Sequence, residues 1–212
     1  MEHLRTRTKI CGITNVEDAK TACYMGTDAI GFVFFGKSLR NVSIPQAVEI
    51  VKILPAFVTS TALFVNPTVD FVNEVIVKTK IDLLQFHGEE SEEFCNQFSR
   101  PYIKAIRMTE ETNLKKVFLD YSSAQSILFD TFVKGVAGGT GKSFNWQLLN
   151  EQAQQNIKKT PIILAGGLDE TNVVEAIKIV KPWAVDVSGG VESKAGIKSP
   201  LKINNFIKAV NK

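Results

Sequence analysis

The chain has 212 residues, of which 44% are hydrophobic and 22% are charged, and its formal net charge is +3. This length suits one domain with a sizeable core, so we expect residues 1–212 to form a single domain. Lysine and arginine are spread along the chain without forming a basic stripe, which argues against a nucleic-acid partner. No segment reaches the roughly 18 apolar residues of a membrane span, and no apolar signal segment follows the charged first residues, so we expect no membrane partner.

The cysteines indicate the compartment. Cys11, Cys23 and Cys95 are odd in number and lie inside periodic segments. Such usage is typical of free thiols in a reducing environment and not of a disulfide framework. We therefore expect a soluble cytoplasmic protein.

Short β-branched or aromatic runs alternate with amphipathic helical stretches along the whole chain. Eight runs predict strands, each followed by helical periodicity: Thr8–Ile13, Ala29–Phe34, Val58–Val65, Leu83–His87, Tyr102–Arg107, Ser126–Thr131, Pro161–Gly166 and Ala184–Ser188. Helix start signals support the assignment. They are Thr14 or Asn15 before the first helix, Ser91 before the fourth, Asp169 before the seventh, and Ser199 with Pro200 at the last.

Eight strand–helix units predict an α/β fold with a parallel sheet and crossover helices. The simplest closed form is a single (β/α)8 TIM barrel, and an open doubly wound sheet is the alternative. Barrel active sites lie at the carboxyl ends of the strands. The polar groups that this rule selects are Cys11, Arg40, His87, Arg107 and Asp130, together with the late glycine clusters.

Two of these groups can transfer protons. Cys11 ends the first predicted strand and Asp130 ends the sixth, so they would reach a substrate from different directions. A lone strand cysteine is more often a small buried hydrophobe, which is how we interpret Cys23 and Cys95, and a lone aspartate is more often a turn former. An ordinary thiol has a pKa of about 8.5 and an ordinary aspartate about 3.9, so both need tuning. Cations and helix dipoles would favour the thiolate, and burial would raise the pKa of the acid.

Lys9 precedes Cys11 by two residues and so shares its strand face, which predicts a lysine inside the barrel unless the register differs. A buried lysine needs an acidic partner. Our hypothesis for that partner is Asp186, on the strand that closes the barrel.

Glycine-rich turns near the end of the chain can bind phosphate through backbone amides. The candidates are Gly166 and Gly167 before the seventh helix, and Ser188, Gly189 and Gly190 after the eighth strand. The alternative is that these glycines only turn the chain.

A further glycine-rich segment, 138–143, contains Gly139 and Gly141. It fails the spacing of a nucleotide-binding P-loop, because Gly135 lies one residue too early. We interpret it as a loop that covers a sugar phosphate.

Six motifs occur in order along nearly the whole chain, at predicted strand ends: Lys9-Ile-Cys-Gly-Ile-Thr14, Gln85-Phe-His-Gly88, Lys104-Ala-Ile-Arg107, Gly138-Gly-Thr-Gly-Lys142, Leu164-Ala-Gly-Gly-Leu168 and Asp186-Val-Ser-Gly-Gly-Val-Glu192. Together they resemble the phosphoribosylanthranilate isomerase family. The resemblance implies a ribulose-phosphate-binding barrel and an isomerase of tryptophan biosynthesis. Its Amadori rearrangement converts phosphoribosylanthranilate to carboxyphenylamino-deoxyribulose phosphate without metal or organic cofactor.

The resemblance also implies roles for individual residues. Cys11 is the base, Asp130 the acid, and Arg40 holds the anthranilate carboxylate. We expect His87 to be a hydrogen-bonding wall residue, since His3 as the only other histidine leaves no histidine metal site. Arg107 either adds positive potential or pairs with a carboxylate in the wall.

The expected partner is a small-molecule phosphosugar, with the chain a monomer or homodimer. The chain departs from the family pattern at Leu39, Asn145, Gly189 and Ser199, and Gly189 leaves backbone amides rather than a hydroxyl for phosphate. Two other functions stay open. A retro-aldol lyase would need two carboxylates where this chain has Cys11 and Asp130, and a non-catalytic barrel would bind without turnover.

Overall fold

The computed structural model describes residues 5–109, 111–130, 146–147, 149 and 160–212. Eight parallel strands close into a barrel in chain order, as predicted, and exclude the open sheet. The strands are β1 Arg7–Cys11, β2 Ala29–Phe34, β3 Thr59–Phe64, β4 Leu83–Phe86, β5 Tyr102–Arg107, β6 Ser126–Asp130, β7 Ile162–Ala165 and β8 Ala184–Val187. Their limits agree with the predicted ones to within two residues.

Seven helices lie in the described part of the chain: α1 Val16–Tyr24, α2 Ile44–Val51, α3 Val69–Thr79, α4 Glu92–Asn96, α5 Leu114–Asp120, α6 Val173–Val180 and α7 Pro200–Val210. The helix predicted after the sixth strand falls mostly outside the described residues. A short antiparallel hairpin between β8 and α7, β9 Glu192–Lys194 with β10 Ile197–Lys198, was not predicted. None of the described helices is long and apolar enough to cross a membrane.

Side-chain alternation along each strand builds two packed regions. Every second side chain points outward to the helices, and among these Phe34, Phe64 and Phe86 form a stacked aromatic row. The side chains between them fill the barrel interior, where Ile103 and Leu128 belong to a separate small apolar cluster. The interior therefore has an apolar floor, above which the polar strand ends open.

Three of the predicted helix starts are confirmed. Asn15, Ser91 and Ser199 each accept a hydrogen bond from a backbone N–H three residues on. Asp169 was predicted to start the helix after the seventh strand, and this prediction was wrong by several residues, because that helix, α6, begins only at Val173. The Asp169 carboxylate instead accepts hydrogen bonds from the amides of Thr171 and Asn172 and makes a turn ahead of the helix.

Candidate active site

A cavity of about 680 Å³ opens at the carboxyl ends of the strands. Its lining includes every predicted site residue that the structure describes except Arg107: Cys11, Arg40, His87, Asp130, Gly166, Gly167, Asp186, Ser188, Gly189 and Gly190. Because parallel strands all end at this rim, residues far apart in sequence meet there. Ten side chains or amides selected from sequence thus lie around one space.

Cys11 is 5% exposed at the end of β1 and faces the cavity. Lys9 lies two residues earlier on the same face, and its Nζ donates to Asp186 Oδ1 at 3.0 Å, which confirms the predicted pair. The two residues are in register across the β1–β8 seam that closes the barrel. Burial alone would lower the pKa of Lys9, but the charge and hydrogen bond of Asp186 help to raise that pKa above its ordinary value, so the lysine is protonated.

The same surroundings affect the thiol. Burial raises the pKa of Cys11, and the attraction of Lys9 offsets this only in part, while Asp186 raises the pKa further. Lys9 and Lys198 do favour the thiolate, as expected, but desolvation of the charged form outweighs them, so the pKa of Cys11 stays above its ordinary value.

Asp130 ends β6, and β7 and β8 separate it from β1 around the barrel. His87, just past the end of β4, places its Nε2 3.3 Å from Asp130 Oδ2. The imidazole was predicted to be a wall residue, and it is also in direct contact with the candidate acid. An N–H at this distance can orient the carboxyl group and limit its movement.

Arg40 reaches the cavity across Gly12, which follows β1. A Cβ on Gly12 would lie 2.5 Å from Arg40 Cδ, and the glycine has φ +75°, so both space and backbone require glycine here. The Arg40 side chain is 30% exposed, and its guanidinium makes an ion pair with Glu192. It is therefore a fixed part of the cavity and not a solvated loop arginine.

The late glycines form two adjacent turns on the cavity wall. Gly166 and Gly167 follow β7 with φ of +92° and +64°. Gly189 and Gly190 begin a single 3-10 turn after Ser188, and a Cβ on Gly190 would collide with the Leu168 carbonyl oxygen. The first amides of a helical turn have no partner within the turn and can bind an anion.

One predicted residue that the structure describes is not brought into this arrangement. Arg107 ends β5 beside Asp130 in the sheet register, but it is exposed and does not line the cavity. Its position at the rim follows from the strand, while its side chain extends into solvent. Gly139 and Gly141 lie outside the described residues.

Two residues, one in the cavity lining and one behind it, were not singled out from sequence. Gln85 is fully buried in the lining, and neither its Oε1 nor its Nε2 has a hydrogen-bond partner in the structure. Gln85 precedes His87 by two residues and so shares its face of the strand, and this spacing could have indicated from sequence that Gln85 faces the cavity. Glu192 was quoted within a motif, but its contact with Arg40 depends on a hairpin that was not predicted. Within the described residues, no three His, Cys, Asp or Glu side chains are grouped to hold a metal ion.

Comparison with known proteins identifies the family. Residues 8–209 match the family model described as N-(5'-phosphoribosyl)anthranilate (PRA) isomerase. The chain belongs to this family. An N-(5'-phosphoribosyl)anthranilate isomerase of Pseudomonas fluorescens (strain Pf-5) is 50% identical over 206 residues, covering 97% of this chain and 96% of the relative. The corresponding isomerase of Pseudomonas putida (strain F1) is 50% identical over 96% of this chain and 97% of its own length.

Solved phosphoribosylanthranilate isomerases share the barrel. The enzyme from Thermotoga maritima superposes with a TM-score of 0.87 at 38% identity, covering 97% of this chain and 98% of that one. Another isomerase structure, at 37% identity with a TM-score of 0.84 and the same coverage, is a complex with reduced 1-(o-carboxyphenylamino)-1-deoxyribulose 5-phosphate. The predicted family and fold are therefore confirmed.

Proposed function

We propose that Cys11 and Asp130 carry out the family's isomerisation of N-(5'-phosphoribosyl)anthranilate in this chain, from two sides of one cavity. Asp130 protonates the furanose ring oxygen, and the ring opens to an iminium. Cys11 removes the proton from the neighbouring sugar carbon, which leads to the aminoketose product. The main support for this proposal is that Cys11, Asp130 and Arg40 line the same cavity.

The rest of the lining supports the same substrate. Arg40 offers a planar fork of N–H donors suited to the anthranilate carboxylate. The adjacent turns at Gly166–Gly167 and Gly189–Gly190 supply backbone amides for the phosphate. The buried, unpartnered Oγ of Ser188 and the amide of Gln85 are available to bind substrate oxygens, since a buried polar group without a partner is costly.

The binding partner is accordingly a small-molecule phosphosugar, and residues 1–212 act as one domain. We propose a cytoplasmic location, which the three free cysteines support. A solved relative is described as mutually generated monomers of the dimeric Thermotoga maritima enzyme. For this chain, a monomer or a homodimer stays a prediction.

The first test follows the loss of anthranilate fluorescence from freshly prepared substrate. The parent should turn over, and Cys11→Ser and Asp130→Asn should each lose about 10²- to 10⁴-fold in kcat, the range of a positioned acid or base. Cys23→Ser and the exposed Asp70→Asn are matched controls that should retain parental rates. Circular dichroism confirms that each variant folds.

The outcomes separate the alternatives. A folded parent that binds the substrate without turnover would be a non-catalytic barrel. If only one of the two variants loses activity, the acid–base assignment is wrong for the other residue.

A further inference from the structure

A carboxylate without an assigned role lies behind Arg40. Glu192, at the start of β9, accepts hydrogen bonds from Arg40 Nε and Arg40 Nη2, both at 2.7 Å. The Glu192 side chain is 5% exposed. A bidentate pair of this kind fixes the plane of the guanidinium as well as its position.

A second cation holds Glu192 from the other side. The Lys198 side chain is fully buried, and its Nζ donates to Glu192 Oε1 at 3.0 Å and to the Ser188 carbonyl at 3.1 Å. The Nζ of Lys202 donates to the Glu192 carbonyl at 2.8 Å. The hairpin that carries Glu192 is thereby tied to the strand end that lines the cavity.

The charges of this cluster do not cancel. Burial alone would raise the pKa of Glu192, but the hydrogen bonds from Arg40 and the charge of Lys198 lower it, so the carboxylate is ionised. One negative charge then faces the two positive charges of Arg40 and Lys198. Of the two cations, Arg40 is the one that lines the cavity.

Arg40 also keeps hydrogen-bonding capacity for a ligand. A guanidinium has five N–H donors, and Glu192 takes two of them. The donors left over are the two N–H groups of Nη1 and the second N–H of Nη2, and Arg40 lines the cavity. An incoming carboxylate would find the donors already oriented.

We propose that Glu192 is a positioning residue that sets substrate specificity: it orients Arg40 so that the site selects an N-aryl phosphosugar bearing a carboxylate over the same phosphosugar without one. Glu192 does not touch the substrate and acts through the guanidinium. The inference rests on the proposed function, because it takes Arg40 as the carboxylate-binding residue.

The test uses two ligands that differ by one group. One is reduced 1-(o-carboxyphenylamino)-1-deoxyribulose 5-phosphate, and the other is its phenylamino counterpart without the carboxylate. Calorimetric Kd values are measured for the parent, Arg40→Ala, Glu192→Gln and the double variant. Glu192→Gln should weaken the carboxylate ligand about tenfold or more, as expected for a charge-assisted hydrogen bond that loses its geometry. It should change the other ligand less than about twofold, and raise KM far more than it lowers kcat.

The double variant distinguishes action through Arg40 from an independent effect. If Glu192 works only by orienting Arg40, adding Glu192→Gln to Arg40→Ala should cause no further loss of affinity. Glu74→Gln removes an exposed carboxylate that pairs with Lys78 on α3, and should match the parent with both ligands.

Glu192→Asp serves if Glu192→Gln does not fold. It keeps the negative charge beside buried Lys198 but cannot span to both Arg40 nitrogens, so the same selective loss is expected. Equal weakening of both ligands by either variant, or additive losses in the double variant, would overturn the proposal. If Arg40→Ala itself weakens both ligands equally, the carboxylate-binding role of Arg40 fails, and the positioning role fails with it.

Discussion

The Cys11 thiol lies at the end of β1 beside the protonated Lys9, which is paired with buried Asp186. Burial holds its pKa above the ordinary thiol value, so the free protein carries a neutral thiol at pH 7. A base of this kind is ionised only in a small fraction of molecules or after substrate changes its surroundings. The charge state of the resting site is thus decided by desolvation.

The reactivity of Cys11 should therefore rise at alkaline pH. In a Cys23→Ser background, the rate of iodoacetamide labelling of Cys11, followed by peptide mass spectrometry, should increase through a midpoint above the ordinary value of about 8.5. Asp186→Asn should move this midpoint down, because removal of a nearby negative charge favours the thiolate. This account would be contradicted if the labelling midpoint of the Cys23→Ser protein were below the ordinary value of about 8.5. It would also be contradicted if Asp186→Asn raised the midpoint.

The loop after β4 shows how an element positions a site residue. Buried Glu90 accepts hydrogen bonds from the amides of Asn66 and Gly88, at 2.8 and 2.9 Å. Lys104, on the outward face of β5, donates to Glu90 Oε2 at 2.8 Å and to the Gly88 carbonyl at 2.6 Å. This network anchors the residue next to His87, whose imidazole contacts Asp130.

Removal of the cation from this network should affect stability and catalysis together. Lys104→Met leaves the Glu90 carboxylate buried and unpaired, which costs about 3–5 kcal/mol of unfolding free energy. The kcat should also fall, because His87 loses its anchor. The control is Lys116→Met, which breaks an exposed pair with Asp120 on α5 and should cost less than about 1 kcal/mol. Urea unfolding and steady-state kinetics measure both effects, and equal costs for the two variants would contradict burial as the cause.

At the scale of the whole molecule, closure of the barrel brings the first strand against the last. Lys9 and Asp186 pair across this seam, 177 residues apart, with side chains 5% and 8% exposed. Lys9 and Asp186 stabilise the closed barrel only while both are present, because either charge without its partner is costly to bury.

A double-mutant cycle should show this coupling. Lys9→Met and Asp186→Leu should each cost about 3–5 kcal/mol in urea unfolding, whereas the double variant should cost much less than their sum. The exposed Arg5–Asp28 pair provides the comparison, and its cycle should give a coupling below about 1 kcal/mol. Additive losses at Lys9 and Asp186 would show that the seam is held by packing alone.

The sequence by itself determined the eight strands, the seven helices in the described part of the chain, most of their caps and the strand-end positions of Cys11, His87 and Asp130. Periodicity and capping are local properties. The Lys9–Asp186 pair was also predictable, since strand parity and barrel closure together place the two residues side by side. The tertiary structure alone decided the Arg40–Glu192 contact, which joins residues 152 apart through an unpredicted hairpin. It also decided the direction of the Cys11 pKa and the exposure of Arg107, because desolvation depends on how distant segments pack around a group.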